Sequence, residues 1–336
     1  MKGLEYRAEE LVYQSARLSI LEMRMIGADR MERLLEAESL SDCLRLLEDF
    51  GVEVLYREDG AFSREQTLSK RLKLVYEELL SNGDRGFLKL WLYPYDCNNL
   101  KSVIKCLSRG VDFEGMLFDC GTIPHESLIG AVRGHDFSLL PEAFAEAAQE
   151  AAVTFATTGD PQTVDFILDR ACYTAMLKEA EASGVEYAAL LVRRKIDLTN
   201  LTVCVRLMRM VKPHALPRML EQACLVGGDL GYEELAEMCA EGEDGFWKKL
   251  SRSAYGALAK NLQGAESSLS ELERAADNAM INDIKERRRG ALGAEVLLGY
   301  LLGSEYEIRN LRILLSGLEI GLSEQALRER IRNSYV

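Results

Sequence analysis

YDCNNLKSVIKCL at 95–107, IDLTNLTVCVRLM at 196–208 and YEIRNLRILLSGL at 306–318 share one pattern: a carboxylate, an asparagine three residues on, and a leucine directly after it. The residues are Asp96, Asn99 and Leu100; Asp197, Asn200 and Leu201; Glu307, Asn310 and Leu311. After each asparagine, apolar side chains recur at i, i+3, i+4 and i+7: Leu100, Val103, Ile104, Leu107; Leu201, Cys204, Val205, Met208; Leu311, Leu314, Leu315, Leu318. That spacing makes one stripe of an α-helix, which must be buried, with the acid and the amide over its edge. A polar group left unpaired there costs about 1–3 kcal/mol, so the pair is expected to satisfy backbone groups of the preceding helix, locking the helices of one unit together.

The copies recur at long intervals, Asn200 following Asn99 by 101 residues and Asn310 following Asn200 by 110. Two further markers keep step. Upstream lie acids at i, i+4, Asp165 with Asp169 and Glu273 with Asp277, with Glu65 and Ser69 as the degenerate first copy. Downstream, GTIPHESL from Gly121, GDLGYEEL from Gly228 and GLSEQAL from Gly321 each read as a glycine stop leading into a new helix. The chain therefore reads as an N-terminal helix within 1–27 and three helical repeats at 28–121, 122–228 and 229–336, the last with a closing C-terminal helix. An architecture of repeats is more often a scaffold than a catalyst.

The bulk numbers agree with a helical globular protein. In 336 residues there are 48% hydrophobic residues, 28% charged residues and 6 prolines, a composition that argues against disorder and for helix. The fold class expected is all-α. A net charge of −13 repels phosphate backbones, and the largest basic run, KERRR at 285–289, reads as a solvated helix end; nucleic acid is excluded as a partner. The most apolar stretch, EVLLGYLLG at 295–303, is too short to span a bilayer, and the start, MKGLEYRAEELVYQ, is too charged for a signal peptide. A cytosolic location is expected, and the eight cysteines, with no C-x-x-C among them, read as reduced, buried small hydrophobes.

Local signals place further elements. A first helix is expected over 4–26 with Leu11, Leu18, Ile20 and Met23 among its apolar positions. Ser39 is placed to cap a helix over SDCLRLLEDF, 64–82 forms another that ends in the turn SNGDRG, and Asp160-Pro161 starts a third. FWKKLSRSAYGALAKNL and SSLSELERAADNAMIN read as helices of the last repeat, Ser304 with Glu307 as a capping box, and SEQALRERIRNSYV as the closing helix.

Signals for chemistry are sparse. No phosphate-binding glycine loop, H-E-x-x-H or G-x-S-x-G occurs, and Cys120, His125 and His135 have no standard zinc spacing. No catalytic residue, cofactor or metal site is expected, and Asp165 with Asp169 is read as an ion-pairing couple. The signature helices do carry a basic face on this acidic chain: Lys101, Lys105 and Arg109, then Arg206 and Arg209, then Arg312. It is either a solvated surface or a docking face.

The three N-L-[K/R]-type signatures, LDRACYTAMLKEA at 168–180, LVGGDLGYEEL at 225–235, LLGYLLGSEYEIRNLRILLSG at 297–317 and the closing RERIRNSYV resemble the C subunit of A-type and V-type rotary ATPases, called the d subunit in the eukaryotic V-type enzymes. The likeness covers essentially the whole chain; Thr202, where the other copies have a basic residue, and the cysteine-rich first signature helix depart from it. The resemblance implies three helical domains arranged as a funnel. It also implies a non-catalytic central-stalk rotor subunit, peripheral on the cytoplasmic face of the membrane, that couples the axle (subunits D and F) to the membrane proteolipid ring for ATP-linked proton or sodium transport. Lys101, Lys105, Arg206, Arg209 and Arg312 would then line the axle socket. A cytosolic helical-repeat adaptor is the alternative, though its units would be about 34–47 residues long.

Overall fold

The computed structural model describes residues 8–81, 86–113, 115–260, 262 and 264–336. Among them no β-strand forms; an isolated bridge joins Tyr56 to Phe62, and the rest of the regular backbone is helical, as an all-α reading requires. The chain gathers into two compact units, one of residues 85–256 and one built from both ends of the chain, 1–84 with 257–336.

In the unit of residues 85–256, the first signature helix is Tyr93–Arg109, with Pro94 in its first turn, where a missing N–H costs nothing. It ends at Gly110, whose φ of 65° is the left-handed conformation that glycine adopts without penalty. Pro161–Ala182 packs against it and against the second signature helix, Glu186–Met210. The Asp160 carboxylate caps Pro161–Ala182 by accepting the Gln162 N–H, as the Asp-Pro dipeptide predicts. An alanine-rich helix, Glu142–Thr158, also packs against Pro161–Ala182.

In the discontinuous unit, the third signature helix, Ala294–Glu319, packs against Arg64–Leu80 and Leu269–Arg288. EVLLGYLLG, the most apolar stretch of the sequence, is the buried first half of that helix. Its glycines have a packing reason: a Cβ on Gly299 would strike the Tyr335 hydroxyl, and one on Gly303 the Tyr335 ring. Among the described residues no helix is long and apolar enough to cross a membrane.

The stripes behave alike in both units. Leu100, Val103 and Ile104, then Leu201, Cys204 and Val205, then Leu311, Leu314 and Leu315 are buried, and the fourth position of each, Leu107, Met208 or Leu318, is half-buried. Ser39 caps its helix by accepting the Asp42 N–H.

Several local expectations are corrected. Ser304 and Glu307 lie inside a continuous helix, so they form no capping box; the box is Ser268 with Glu271. FWKKLSRSAYGALAKNL splits between Gly242–Leu250 and Gly256–Lys260. The closing helix is only Glu324–Arg328, and the first helix is described over Ala8–Glu22. The start of that first helix, the Leu11 side chain and most of the SNGDRG turn lie outside the described residues.

Candidate functional site

The signature residues form three hydrogen-bonded locks of one design, each contained within a single unit. Asn99 is the simplest to follow: its Nδ2 donates to the Phe118 carbonyl at 3.0 Å and its Oδ1 accepts the Phe118 N–H at 2.8 Å. Asn200 does the same with Leu225, at 2.9 and 2.8 Å, and Asn310 with Arg332, at 3.0 and 2.9 Å. Only a primary amide can satisfy both backbone groups of one residue in this way, which is why the position is asparagine.

The carboxylate grips the same descending segment a few residues later. Asp96 accepts the N–H of Thr122 at 2.9 Å, the N–H of Ile123 at 3.0 Å and the Thr122 hydroxyl at 2.7 Å. Asp197 accepts the N–H of Asp229 at 3.0 Å, the N–H of Leu230 at 3.1 Å and the Tyr255 hydroxyl at 2.7 Å. In these two copies the groups satisfied therefore belong to the segment that follows the signature helix, and not to the preceding helix as the sequence suggests. Ile123 and Leu230 are each followed by one residue and then a helix, His125–Gly134 or Tyr232–Ala240. Burial raises the pKa of both Asp96 and Asp197, and the hydrogen bonds they accept oppose that shift.

The third lock reaches the other end of the chain. Glu307 Oε2 accepts the N–H of Ile26 at 2.6 Å, and Ile26 precedes Gly27 and the helix Ala28–Leu35. Ile26 thus stands to its helix as Ile123 and Leu230 stand to theirs, and all three side chains are buried. The Arg71 guanidinium donates to the other oxygen of Glu307, where the other copies use a threonine or tyrosine hydroxyl. Arg332 leads to Val336, whose carbonyl accepts the Ala28 N–H at 3.2 Å. The residues 331–336 expected in a closing helix are non-helical because Arg332 must present its backbone to Asn310.

This geometry reassigns one marker. A Cβ on Gly121 or Gly228 would fall on the carboxylate of Asp96 or Asp197, so these glycines are where the backbone passes closest to the lock. Gly321 has open space around its Cβ position and a φ of 72°; it ends a signature helix, as Gly110 does. Ile26, Arg71, Thr122 and Tyr255 were missed from sequence. The available signal was an apolar residue two positions before a helix, as Ile26, Ile123 and Leu230 are.

The basic face is engaged by the acid markers. Lys101 pairs with Asp169 and Lys105 with Asp165, both at 2.5 Å, so the i, i+4 acids of Pro161–Ala182 read onto the i, i+4 lysines of the first signature helix. Arg312 pairs with Glu65 at 3.1 Å, Arg209 pairs with Glu243, and Arg309 and Arg332 share Asp277 at 2.7 and 3.0 Å. Arg170, next to Asp169 in the sequence, donates instead to the carbonyls of Glu221 and Gln222. Arg206 is exposed and has interactions of its own.

His125 Nε2 lies 2.9 Å from the Phe118 carbonyl, and His135 ends its helix at a φ of 52°. Among the described residues no group of three His, Cys, Asp or Glu side chains is arranged to hold a metal ion. An open groove of about 580 Å³ runs between Glu142–Thr158 and Pro161–Ala182, lined by Glu142, Glu146 and Glu150 of the first helix and Arg170, Lys178 and Glu179 of the second.

The sequence model described as ATP synthase (C/AC39) subunit matches residues 14–330. The C subunit of the V-type sodium ATPase of Enterococcus hirae is 24% identical over 319 residues, covering 94% of this chain and 95% of that protein. The C subunit of the A-type ATP synthase of Thermococcus gammatolerans is 23% identical, covering 95% of this chain and 89% of its own length. That of Methanocaldococcus jannaschii is 23% identical, with 94% and 84% covered. With a match that spans nearly the whole chain, the chain belongs to the ATP synthase (C/AC39) subunit family, the C subunit of A-type and V-type ATPases.

Proposed function

We propose that this chain is a non-catalytic rotor subunit that couples the central axle (subunits D and F) to the membrane proteolipid ring during ATP-linked proton or sodium transport, peripheral on the cytoplasmic face of the membrane. The observation that carries this reading is the match over residues 14–330 to a family whose relatives are named C subunits of A-type ATP synthases and of a V-type sodium ATPase. The repeated lock supports it: three copies of one construction suit a part that transmits torque without yielding. The repeats at 28–121, 122–228 and 229–336, set as a funnel, belong to the same proposal. In it each signature helix holds the segment leading into the next repeat, and the third holds that of the first.

Lys101, Lys105, Arg206, Arg209 and Arg312 are proposed to line the axle socket. Because Lys101, Lys105, Arg209 and Arg312 already pair with acids of this chain, an acidic foot would bind them by exchanging partners, which favours a fast, salt-sensitive encounter. The test separates docking from internal pairing. Lys105→Glu with Arg206→Glu is expected to uncouple ATP hydrolysis from ion transport in the assembled complex, and adding Asp165→Lys, which restores the internal ion pair with its sign reversed, should not rescue it. If the triple variant pumps as the parent does, Lys105 acts only inside the chain and the socket lies elsewhere.

A further inference from the structure

Within the unit of residues 85–256, one pair of helices already matches acids to cations by register. Asp165 and Asp169 of Pro161–Ala182 meet Lys105 and Lys101 of the first signature helix, four-residue spacing against four-residue spacing. A second acid row in the same unit has no such counterpart. Glu142, Glu146 and Glu150 are exposed along Glu142–Thr158 at that same spacing, and among the described residues no side chain pairs with any of them. Like charges at i, i+4 repel on a helix surface and weaken the helix that carries them unless cations lie alongside.

The row borders the groove of about 580 Å³ between that helix and Pro161–Ala182. Its lining follows helical register. Glu142–Thr158 contributes Ala143 and Ala147 beside the acids, and Pro161–Ala182 contributes Ala171 and Ala175 beside a second charged row, Arg170, Thr174 and Lys178, all three exposed. On each helix the alanines lie, by register, between the charged row and the buried face, so they form the floor, with the half-buried Glu179 nearer the core. Arg170 gives its hydrogen bonds to neutral carbonyls, which leaves its charge uncompensated, and no described side chain pairs with Lys178.

We propose that this groove receives one α-helix of a partner protein, with Lys or Arg four residues apart on the flank facing Glu142, Glu146 and Glu150, a carboxylate on the flank facing Lys178, and small apolar residues over the alanine floor. A hollow is filled by a convex element. A second copy of this chain would bring the same hollow to the contact, and a single cation would neutralise one glutamate of a row roughly 12 Å long. The pairing repeats between two chains the register that Lys101 and Lys105 use within one. Charge aligns the helix and the alanines let it approach closely, so salt weakens the contact. None of the cations proposed for the axle socket lines this groove, and the two surfaces are tested separately.

The test uses the full chain and a fluorescein-labelled helical peptide with lysines at i, i+4 and i+8, alanines beside them and glutamates beyond, read by fluorescence anisotropy at low ionic strength. The parent is expected to bind it, and to bind a peptide of the same composition with its lysines out of register about tenfold more weakly. Glu142→Lys with Glu146→Lys and Glu150→Lys should weaken the first peptide by a similar factor and take up a counterpart with glutamate in place of those lysines. Reversing three exposed acids elsewhere in the unit, Glu233→Lys, Glu234→Lys and Asp244→Lys, should leave binding as in the parent. Ala147→Trp, which fills the floor without changing charge, should abolish it. Equal binding of the two peptides by the parent, equal losses from the two triple reversals, or no binding by the folded parent overturns the site. So does self-association in sedimentation that the groove reversal abolishes, because the occupant is then a second copy.

Discussion

Glu307 and Ile26, 281 residues apart in sequence, are joined by a carboxylate-to-amide hydrogen bond of 2.6 Å. In the other two copies the corresponding bond spans 27 residues, from Asp96 to Ile123, and 33, from Asp197 to Leu230. The third lock therefore closes the chain on itself, and it does so with the longer acid and an arginine. Glu307→Ala would leave the Ile26 N–H and the Arg71 guanidinium without their acceptor, at a cost of about 3 kcal/mol. Urea denaturation should show the loss, and hydrogen exchange should quicken at the Ile26 amide before it does at Ile123.

Gly228 and Gly231 give a paired test three residues apart. Gly228→Ala places a methyl group on the Asp197 carboxylate and should cost about 1–3 kcal/mol, whereas Gly231→Ala meets open space at a φ of −72° and should be neutral. Equal midpoints for the two variants in denaturant would mean that the close pass at Gly228 has no energetic weight.

Asn200→Leu keeps the volume of the side chain and removes both bonds to Leu225, leaving one buried donor and one buried acceptor unmet. About 2–4 kcal/mol of stability should be lost. Leu201→Asp, next to it, buries a carboxylate in a fully covered stripe position and should abolish cooperative unfolding of the unit of residues 85–256 in calorimetry.

Alkaline pH tests the second lock from its tyrosine. Burial first, and then the bond to Asp197, raise the Tyr255 pKa above its ordinary value. A raised folded-state pKa means that the stabilisation is complete below about pH 10, the unfolded tyrosine value, and is lost as pH rises beyond it. Tyr255→Phe should cost about 1–2 kcal/mol at pH 7 and flatten the decline of stability above pH 10. A decline of unchanged slope would assign it to other raised groups, such as Tyr173 and Tyr335.

What the sequence carried were the parts that repeat. Helical periodicity located the stripes, because burying Leu100, Leu201 and Leu311 on one face needs only the spacing within a helix. The pairing of Lys101 and Lys105 with Asp169 and Asp165 was legible only as two separate features, since neither spacing says which helix will lie alongside. The partner of Glu307 could not be read forward at all. In the first two copies the gripped amide follows in the chain, but for the third it lies near the opposite end, where nothing in the local pattern of Met25-Ile26-Gly27 names its acceptor. Gly321 was aligned with Gly121 and Gly228 by position, although the physical equivalence lies in what occupies the space above the α-carbon.

The discontinuous unit bears on how the chain is made. Residues 85–256 are contiguous, so a ribosome delivers all of that unit in one run and its helices meet partners already synthesised. The helix Arg64–Leu80, by contrast, emerges early with Arg71 and an apolar face that are not covered until Ala294–Glu319 follows, more than two hundred residues later. During that interval the N-terminal segment is an exposed hydrophobic surface on a nascent chain, the part of this protein with most need of a chaperone and the most exposed to a premature stop.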